Sequence, residues 1–329
     1  MRPTVAIAFV RVPADQNPNL RRRRFGDPLE AYYQAMVVAF ASVRRWHEDL
    51  PLQLVTNEPP PVPYRRELAN LDVTITLQAF DHAPPVGFSK QFAGSLYMLD
   101  AVRACRDQDT VFIDPDVVCV RPLDAMLTDV GATVGAMPLN YPPDTSIGGL
   151  SLAEAGELHA LLGEPSNSPP VHFGGECYIV PASWAPVVLD RAQTAWAFSL
   201  ARHSDGQTRF PTEEHIFSYA FLGVPITSLR PHVRRIWTSA TYRTIHGDEP
   251  SMTIWHLPSE KGNGISSLYK LTRDPDSWFW TSENAQFMSR IGRTVGVTAR
   301  TPRRLARDTA AVTLHRAAKV LGHPHGWRN

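Results

Sequence analysis

The sequence lacks the features that identify several common protein classes. Its 329 residues contain neither the G-x-G-x-x-G pattern of dinucleotide-binding domains nor the G-x-x-x-x-G-K-[ST] pattern of P-loop proteins. No apolar run approaches the roughly 18 residues that a membrane-spanning helix needs. The apolar segment from Val5 to Val10 is shorter than the core of a signal peptide and is followed at once by Arg11. We therefore expect a cytoplasmic protein that holds any nucleotide without a glycine-rich phosphate loop.

Cysteine and net charge are also scarce. The three cysteines show no C-x-x-C spacing, which argues against a zinc site and against a disulfide framework. The formal net charge of +1 argues against a nucleic-acid partner. Residues 299–329 nevertheless carry seven basic side chains and one acidic one. We predict that this basic tail is helical and packs on the body, the alternative being a weak contact with an anionic membrane surface, which would place the protein at the inner membrane face.

Apolar segments of strand length and of helix length alternate along the first 140 residues. This alternation predicts an α/β protein with a doubly wound mixed sheet flanked by helices. The predicted strands of this half are 5–10, 52–55, 73–77, 111–113 and 134–137, and its predicted helices are 29–46 and 92–104. The second half adds helices at 152–162, 184–201 and 212–221, and strands at 177–180 and 253–255. We expect one domain over residues 1–270 and an aromatic and basic helical extension over residues 271–329.

The most informative segment is Asp114-Pro115-Asp116, because it directly follows residues with the composition of a buried strand. Residues 111–113 are Val, Phe and Ile, and uninterrupted apolar runs are typical of strands that are covered on both faces. Pro115 interrupts regular pairing. Ligands of open α/β sheets bind beyond the carboxyl ends of the strands, and carboxylate oxygens are the ligands that Mg2+ and Mn2+ prefer. Asp114 and Asp116 are therefore predicted metal ligands.

A second copy of the same tripeptide tests how much its context matters. Asp274-Pro275-Asp276 follows Leu271-Thr272-Arg273, which is not an apolar strand. We predict that this copy is a solvent-exposed turn. The strand before Asp114 therefore carries more information than the tripeptide itself.

The run VFIDPDVVCVRPLD resembles the D-x-D segment of GT-A-fold glycosyltransferases, most closely the glycogenin-like (family 8-like) group. Three further features follow the order of that family along the chain. They are Gly87-Phe88-Ser89-Lys90, the segment Phe173–Ile179 with its paired glycines, and His256 with Lys261 five residues later. The resemblance covers about residues 5–265.

The resemblance implies a metal-dependent transfer of a sugar from a nucleoside diphosphate to an unknown acceptor, which could be a glycan, a lipid or a protein. It implies Mn2+ or Mg2+ held by Asp114, Asp116 and His256, because the leaving diphosphate needs charge neutralisation. The donor would be held by a further set of residues: Phe9, Val10, Arg11, Lys90, Lys261 and Gly262.

Two further sets of residues receive roles from the resemblance. Glu213 and Glu214 fall where the family often has an acid followed by a glutamine near the reacting sugar carbon, and they are the candidate catalytic residues. Here a glutamate replaces the glutamine, and the pair could instead cap a helix. Gly174, Gly175 and Glu176 would lie on the acceptor side.

Two other functions fit part of the pattern. Asp114-x-Asp116-x-Val118 also satisfies the motif of haloacid-dehalogenase-like phosphatases, in which the first acid is a nucleophile and the second a general acid or base. Those enzymes usually carry the motif on the first strand, whereas three predicted strands precede it here. A protein that binds sugar nucleotides or polyanions without catalysis is the remaining alternative.

Overall fold

The structure is a computed structural model that describes residues 2–12, 28–89, 92–164, 170–239 and 242–299, with short helical pieces between 305 and 313. Lys90 and most of the basic tail lie outside these residues, so their predicted roles stay predictions. Among the described residues, no helix is both long enough and apolar enough to cross a lipid bilayer.

Twelve strands and ten helices follow one another along the described chain. The strands are β1 Thr4–Phe9, β2 Leu52–Thr56, β3 Val73–Leu77, β4 Thr110–Ile113, β5 Val117–Cys119, β6 Val134–Leu139, β7 Ser146–Ile147, β8 Leu150–Ser151, β9 His172–Val180, β10 Ile226–Ser228, β11 Val233–Arg235 and β12 Ile254–His256. The helices are α1 Pro28–Trp46, α2 Val62–Asn70, α3 Tyr97–Ala104, α4 Asp124–Val130, α5 Leu152–Leu161, α6 Ala185–Ser204, α7 Glu213–Ala220, α8 Gly264–Thr272, α9 Trp278–Thr281 and α10 Asn284–Thr294.

Seven strands form the main sheet, in the order β10-β6-β9-β4-β1-β2-β3. Within it, β9 is antiparallel to both of its neighbours, and the other pairs are parallel. Side chains of β1 alternate between two hydrophobic cores: Val5 and Ile7 face one, which α1 and α8 complete, while Ala6 faces the other, which α3, α6 and α7 complete. The mixed α/β sheet flanked by helices that the sequence predicted is confirmed.

A small second sheet places the two halves of the chain side by side. Its order is β11-β12-β5, with β12 antiparallel to β5, so that His256 pairs with Val117. The backbone N–H of Leu257 then donates to the carbonyl oxygen of Asp116 at 2.9 Å. This register delivers the imidazole of His256 next to the Asp-Pro-Asp turn.

Strand β9 is irregular where it passes the end of β4. Its pairing with β6 shifts between Ala136 and Met137, so that Tyr178 and Gly174 pair with consecutive residues of β6. Residues 175–177 therefore bulge away from β6, while the carbonyl oxygen of Glu176 still accepts from the N–H of Asp114 at 3.1 Å. The bulge places Glu176 beside the same turn.

Several predicted boundaries differ from the observed ones. The sequence predicted that β9 begins at residue 177, but it begins at His172 and includes both glycines, because burial on both faces outweighs their low strand propensity. The helix predicted over 92–104 is a short 3-10 helix, Ala93–Leu96, followed by α3. Helix α2, Val62–Asn70, was not among the predicted helices; it carries a proline in its first turn, where proline is well tolerated.

The C-terminal helices share the core of the sheet domain. Phe279 of α9 and Phe287 of α10 are fully buried in the same cluster as Val5 and Ile7. The division between a domain over residues 1–270 and an extension stays a prediction. The three cysteines are free and buried, each in the interior of the described chain.

Candidate functional site

The turn after β4 brings together the three predicted metal ligands. Nε2 of His256 lies 3.4 Å from Oδ2 of Asp114 and 3.4 Å from Oδ1 of Asp116. One ligand atom from each of these residues lies within 4.8 Å of the other two. Asp116 and His256 are buried, whereas the Asp114 side chain is 35% exposed. Two carboxylates and an imidazole form a donor set that suits a divalent ion such as Mn2+.

Lys261 adds a cation to this group. The Nζ atom of Lys261 donates to Oδ2 of Asp116, and it lies 5.2 Å from the centre of the Tyr32 ring. Burial opposes the charge of Lys261, but the Asp116 carboxylate outweighs it and raises the pKa of the ammonium group above its usual range. The loop after β12 thus contributes both the third ligand and the positive charge.

The electrostatics of the turn separate the two aspartates. Burial raises the pKa of Asp116, but the neighbouring charges of Lys261 and His256 prevail and hold that pKa well below its usual range. Partial burial raises the pKa of Asp114 above its usual range, against the opposing charge of His256. Burial lowers the pKa of His256, but the carboxylate of Asp116 raises it to about 9. Asp116 is therefore the permanent anion of the cluster.

The second acidic pair lies at the start of α7, with Glu214 as its ionised member. Oε1 of Glu214 accepts from the N–H of Gly175 at 2.9 Å and from Nη2 of Arg235 at 2.8 Å, and Oε2 lies 3.0 Å from Nε2 of His172. Burial opposes the charge of Glu214, but the hydrogen bond from His172 and the charge of Arg235 keep its pKa below the usual range. Burial and the adjacent Glu214 raise the pKa of Glu213 to about 8. The pair therefore presents one carboxylate and one carboxylic acid at neutral pH.

Arg235 joins the two acidic groups. Its Nε donates to Oε1 of Glu176, and the same oxygen of Glu176 lies 3.5 Å from Nδ1 of His256. A continuous chain of contacts therefore runs from Asp114 and Asp116 through His256, Glu176 and Arg235 to Glu214. Sequence patterns did not indicate Arg235 or His172, because each is defined by partners that are distant in the chain.

The two glycines of β9 make room for these acids. A Cβ atom on Gly174 would lie 2.1 Å from Oε2 of Glu176, and one on Gly175 would lie 2.9 Å from Oε1 of Glu213. Both glycines and Glu176 are buried in the described structure. Their predicted position on the acceptor side stays a prediction.

The predicted nucleotide-binding residues lie at the end of β1. The ring of Phe9 lies 5.9 Å from that of Tyr32, the residue that also contacts Lys261. The N–H of Arg11 donates to Oδ1 of Asn57 at 2.8 Å, which ties the ends of β1 and β2 together. Val10 is half-buried in the same segment, and Gly262 is exposed in the turn after Lys261. The aromatic ring of Tyr32 thus connects the end of β1 with the cluster around Asp116.

The second tripeptide behaves as the sequence predicted. Asp274 and Asp276 are exposed, and Oδ1 of Asp274 accepts from the N–H of Asp276 at 3.0 Å. This local hydrogen bond is typical of a turn.

Neither a known family profile nor a curated protein sequence matches the chain. Solved structures do resemble it. The galactosyltransferase LgtC with donor and acceptor sugar analogues is 13% identical, with a TM-score of 0.46 over 91% of this chain and 98% of that one. Mouse xyloside xylosyltransferase 1 is 12% identical, with a TM-score of 0.44 over 77% of this chain and 97% of that one.

A third similar structure is core-mannan synthase A from Aspergillus fumigatus in its Mn/GDP form. It is 11% identical, with a TM-score of 0.42 over 68% of this chain and 70% of that one. At these identities and TM-scores the similarity carries no argument, and the function is argued from the site.

Proposed function

We propose that the protein is a metal-dependent glycosyltransferase that moves a sugar from a nucleoside diphosphate to an acceptor. The observation that carries this proposal is the convergence of Asp114, Asp116 and His256 on one point, with the ammonium group of Lys261 on Asp116. Three donor atoms for a divalent ion beside a fixed cation suit a doubly charged diphosphate.

The donor set supports a particular role for each member. Asp114, Asp116 and His256 would hold Mn2+ or Mg2+, and the imidazole favours Mn2+, because nitrogen ligands suit transition metals better than Mg2+. A bound ion would supply several kcal/mol of stabilisation to the charge on the leaving diphosphate. Lys261 would contact a diphosphate oxygen as a point charge, with Gly262 allowing the backbone to approach.

The end of β1 is the proposed site of the nucleoside. Phe9 and Tyr32 supply aromatic surface within reach of Lys261, and Val10 and Arg11 continue the chain past the strand. The carboxyl end of a parallel strand is where open α/β sheets bind nucleotides. Lys90, which lies outside the described residues, remains a second proposed diphosphate contact.

Glu214 is the proposed catalytic carboxylate. Its charge is maintained by Arg235 and His172, and a contact chain connects it to the metal ligands. Departure of a diphosphate leaves positive charge on the sugar ring, which an ionised carboxylate stabilises. Glu213, protonated at neutral pH, would donate a hydrogen bond to a sugar or to the acceptor. The acceptor, a glycan, lipid or protein, would approach from the side of β9 that carries Gly174 and Gly175.

Calorimetry with a panel of nucleoside diphosphates, with and without Mn2+, tests the proposal. We expect one base to bind in the presence of Mn2+ and to bind much more weakly without it. Hydrolysis of the matching sugar nucleotide should then require Mn2+ and should be lost in Glu214→Gln, which keeps Mn2+-dependent binding. Wild-type protein that binds no nucleoside diphosphate with either ion would refute the proposal.

The two alternatives differ from the proposal in what they require. A phosphatase would need Asp116 to donate a proton, but Lys261 and His256 keep its pKa low against the effect of burial, so it is a poor acid. A protein that only binds sugar nucleotides would show Mn2+-dependent binding without donor hydrolysis. We expect hydrolysis.

A further inference from the structure

Glu176 is a buried carboxylate with an incomplete set of partners. Its residue is fully buried, yet among the described residues Oε2 accepts no hydrogen bond. Its other oxygen, Oε1, accepts from Arg235 and lies 3.5 Å from Nδ1 of His256. Burying a carboxylate costs several kcal/mol unless it is paired. Arg235 pairs with Oε1 only, so the pairing of this buried carboxylate is incomplete.

The position of Glu176 relative to His256 indicates a role at the metal site. The two ring nitrogens of His256 face opposite groups: Nε2 faces Asp114 and Asp116, and Nδ1 faces Glu176. Nδ1 makes no hydrogen bond to any other described residue, and its contact is the 3.5 Å approach to Oε1 of Glu176. A carboxylate on the far nitrogen of a metal-binding histidine holds the proton there and leaves the other nitrogen free to bind the ion.

We propose that Glu176 is a positioning residue that orients His256 for metal binding, and that Arg235 couples this carboxylate to Glu214. The inference rests on the proposed function, since it concerns the same metal site. It moves Glu176 from the acceptor side, where the sequence resemblance placed it, to the metal side. Gly174 belongs to the same arrangement, because only a residue without a side chain leaves space for Oε2 of Glu176.

Arg235 is suited to couple the two carboxylates. Its guanidinium group reaches Glu176 through Nε and Glu214 through Nη2, the latter at 2.8 Å. A lysine in this position would keep the charge but could not make both directed contacts. The orientation of Glu214 would therefore depend on that of Glu176, which also orients the metal ligand His256.

The first test measures Mn2+ affinity in the presence of the preferred nucleoside diphosphate, by calorimetry and by the electron paramagnetic resonance signal of Mn2+. Glu176→Gln keeps the shape of the side chain and removes its charge, and we expect Mn2+ to bind about 10 to 100 times more weakly. Metal-free nucleotide affinity should stay unchanged. Gly174→Ala should weaken Mn2+ in the same direction by displacing Glu176, whereas Gly156→Ala, in helix α5, should bind as the wild type does.

The second test addresses Arg235. Arg235→Lys should lower kcat for donor hydrolysis about 10-fold or more, because misplacement of a catalytic group by about 1 Å can reduce the rate 100-fold. Its loss of Mn2+ affinity should be smaller than that of Glu176→Gln. Arg234→Lys is the matched control, since Arg234 is the preceding residue and pairs with Asp248 instead.

The Mn2+ affinities and the kcat values of these variants test the positioning role of Glu176 and the coupling role of Arg235 separately. Wild-type Mn2+ affinity in folded Glu176→Gln would overturn the positioning role while leaving the proposed function intact. A wild type without Mn2+-dependent binding would refute both. If Glu176→Gln does not give a cooperative melt, Gly174→Ala decides in its place, and wild-type affinity there overturns the proposal. An unchanged kcat in Arg235→Lys would overturn the coupling to Glu214.

Discussion

The two Asp-Pro-Asp tripeptides have the same sequence and different physical surroundings. The first follows β4, and His256 and Lys261 both contact it. The second lies in an exposed turn between α8 and α9, where the carboxylate of Asp274 accepts a hydrogen bond from the backbone N–H of Asp276. The comparison shows that the motif acquires chemistry from the strands around it, because β12 must pair with β5 before a third ligand reaches the acids.

The largest expected difference is between Asp116→Asn and Asp276→Asn. Removing a buried ligand charge should weaken Mn2+-dependent nucleotide binding at least about 100-fold, since the site would lose its permanent anion. It should also lower the free energy of unfolding by about 1–3 kcal/mol, because Lys261 would lose its partner. Asp276→Asn should change neither quantity. Calorimetry and urea denaturation of both variants measure this, and equal effects would remove the distinction between the tripeptides.

The second prediction removes the imidazole beside the first tripeptide, so that only the two aspartates remain, as in the second tripeptide. His256→Gln leaves two acids without an imidazole, and we expect Mn2+ to bind about 10 to 100 times more weakly. His246→Gln is the control, because His246 is exposed and belongs to another loop. Calorimetric titration with Mn2+ at saturating nucleotide gives the affinities. If Mn2+ binds His256→Gln as tightly as the wild type, the two aspartates suffice and His256 is not a ligand.

The third prediction compares the two lysines associated with the tripeptides. Lys261 is in contact with Asp116, whereas Lys270 is exposed on α8 four residues before Asp274. Lys261→Met should weaken binding of the nucleoside diphosphate about 10-fold in the presence of Mn2+, and the effect should be much smaller for the nucleoside alone. Lys270→Met should have no effect. A loss that is equal for nucleoside and diphosphate would place Lys261 away from the phosphates.

Local patterns predicted one half of the site and could not predict the other. Asp114 and Asp116 follow an apolar strand, and His256 follows another, so their positions at strand ends could be derived from residue order alone. Arg235 lies on a three-residue strand with no periodicity, and its importance comes from Glu176 and Glu214, which are 59 and 21 residues away. No sequence window contains that information.

The fold shows the same division between local and non-local information. The five main-sheet strands of the first half were predicted because each is a short, mostly apolar segment bounded by turn residues, whereas β5, Val117–Cys119, was not predicted. Strand β9 was predicted too short, since Gly174 and Gly175 have low strand propensity and their place in the sheet depends on the acids that need their space. Glycines in a buried strand therefore indicated a crowded site, a signal that sequence analysis could have used.

The last prediction defines the pH range in which the tripeptides can be compared. Burial lowers the pKa of His159 to about 4, and its ring contacts the rings of Phe210 and Tyr219. Its folded pKa lies below its unfolded value near 6.5, so the unfolded state binds more protons between these values. Stability should therefore fall below about pH 6.5, by up to about 1.4 kcal/mol per pH unit from this group. In His159→Phe, urea denaturation at pH 7.5 and 5 should show a smaller decline than in the wild type, with His246→Gln as control. If stability declines equally in the wild type and in His159→Phe, other groups cause the acid sensitivity. A loss of Mn2+ binding at pH 5 could then not be separated from acid unfolding by comparison with His159→Phe.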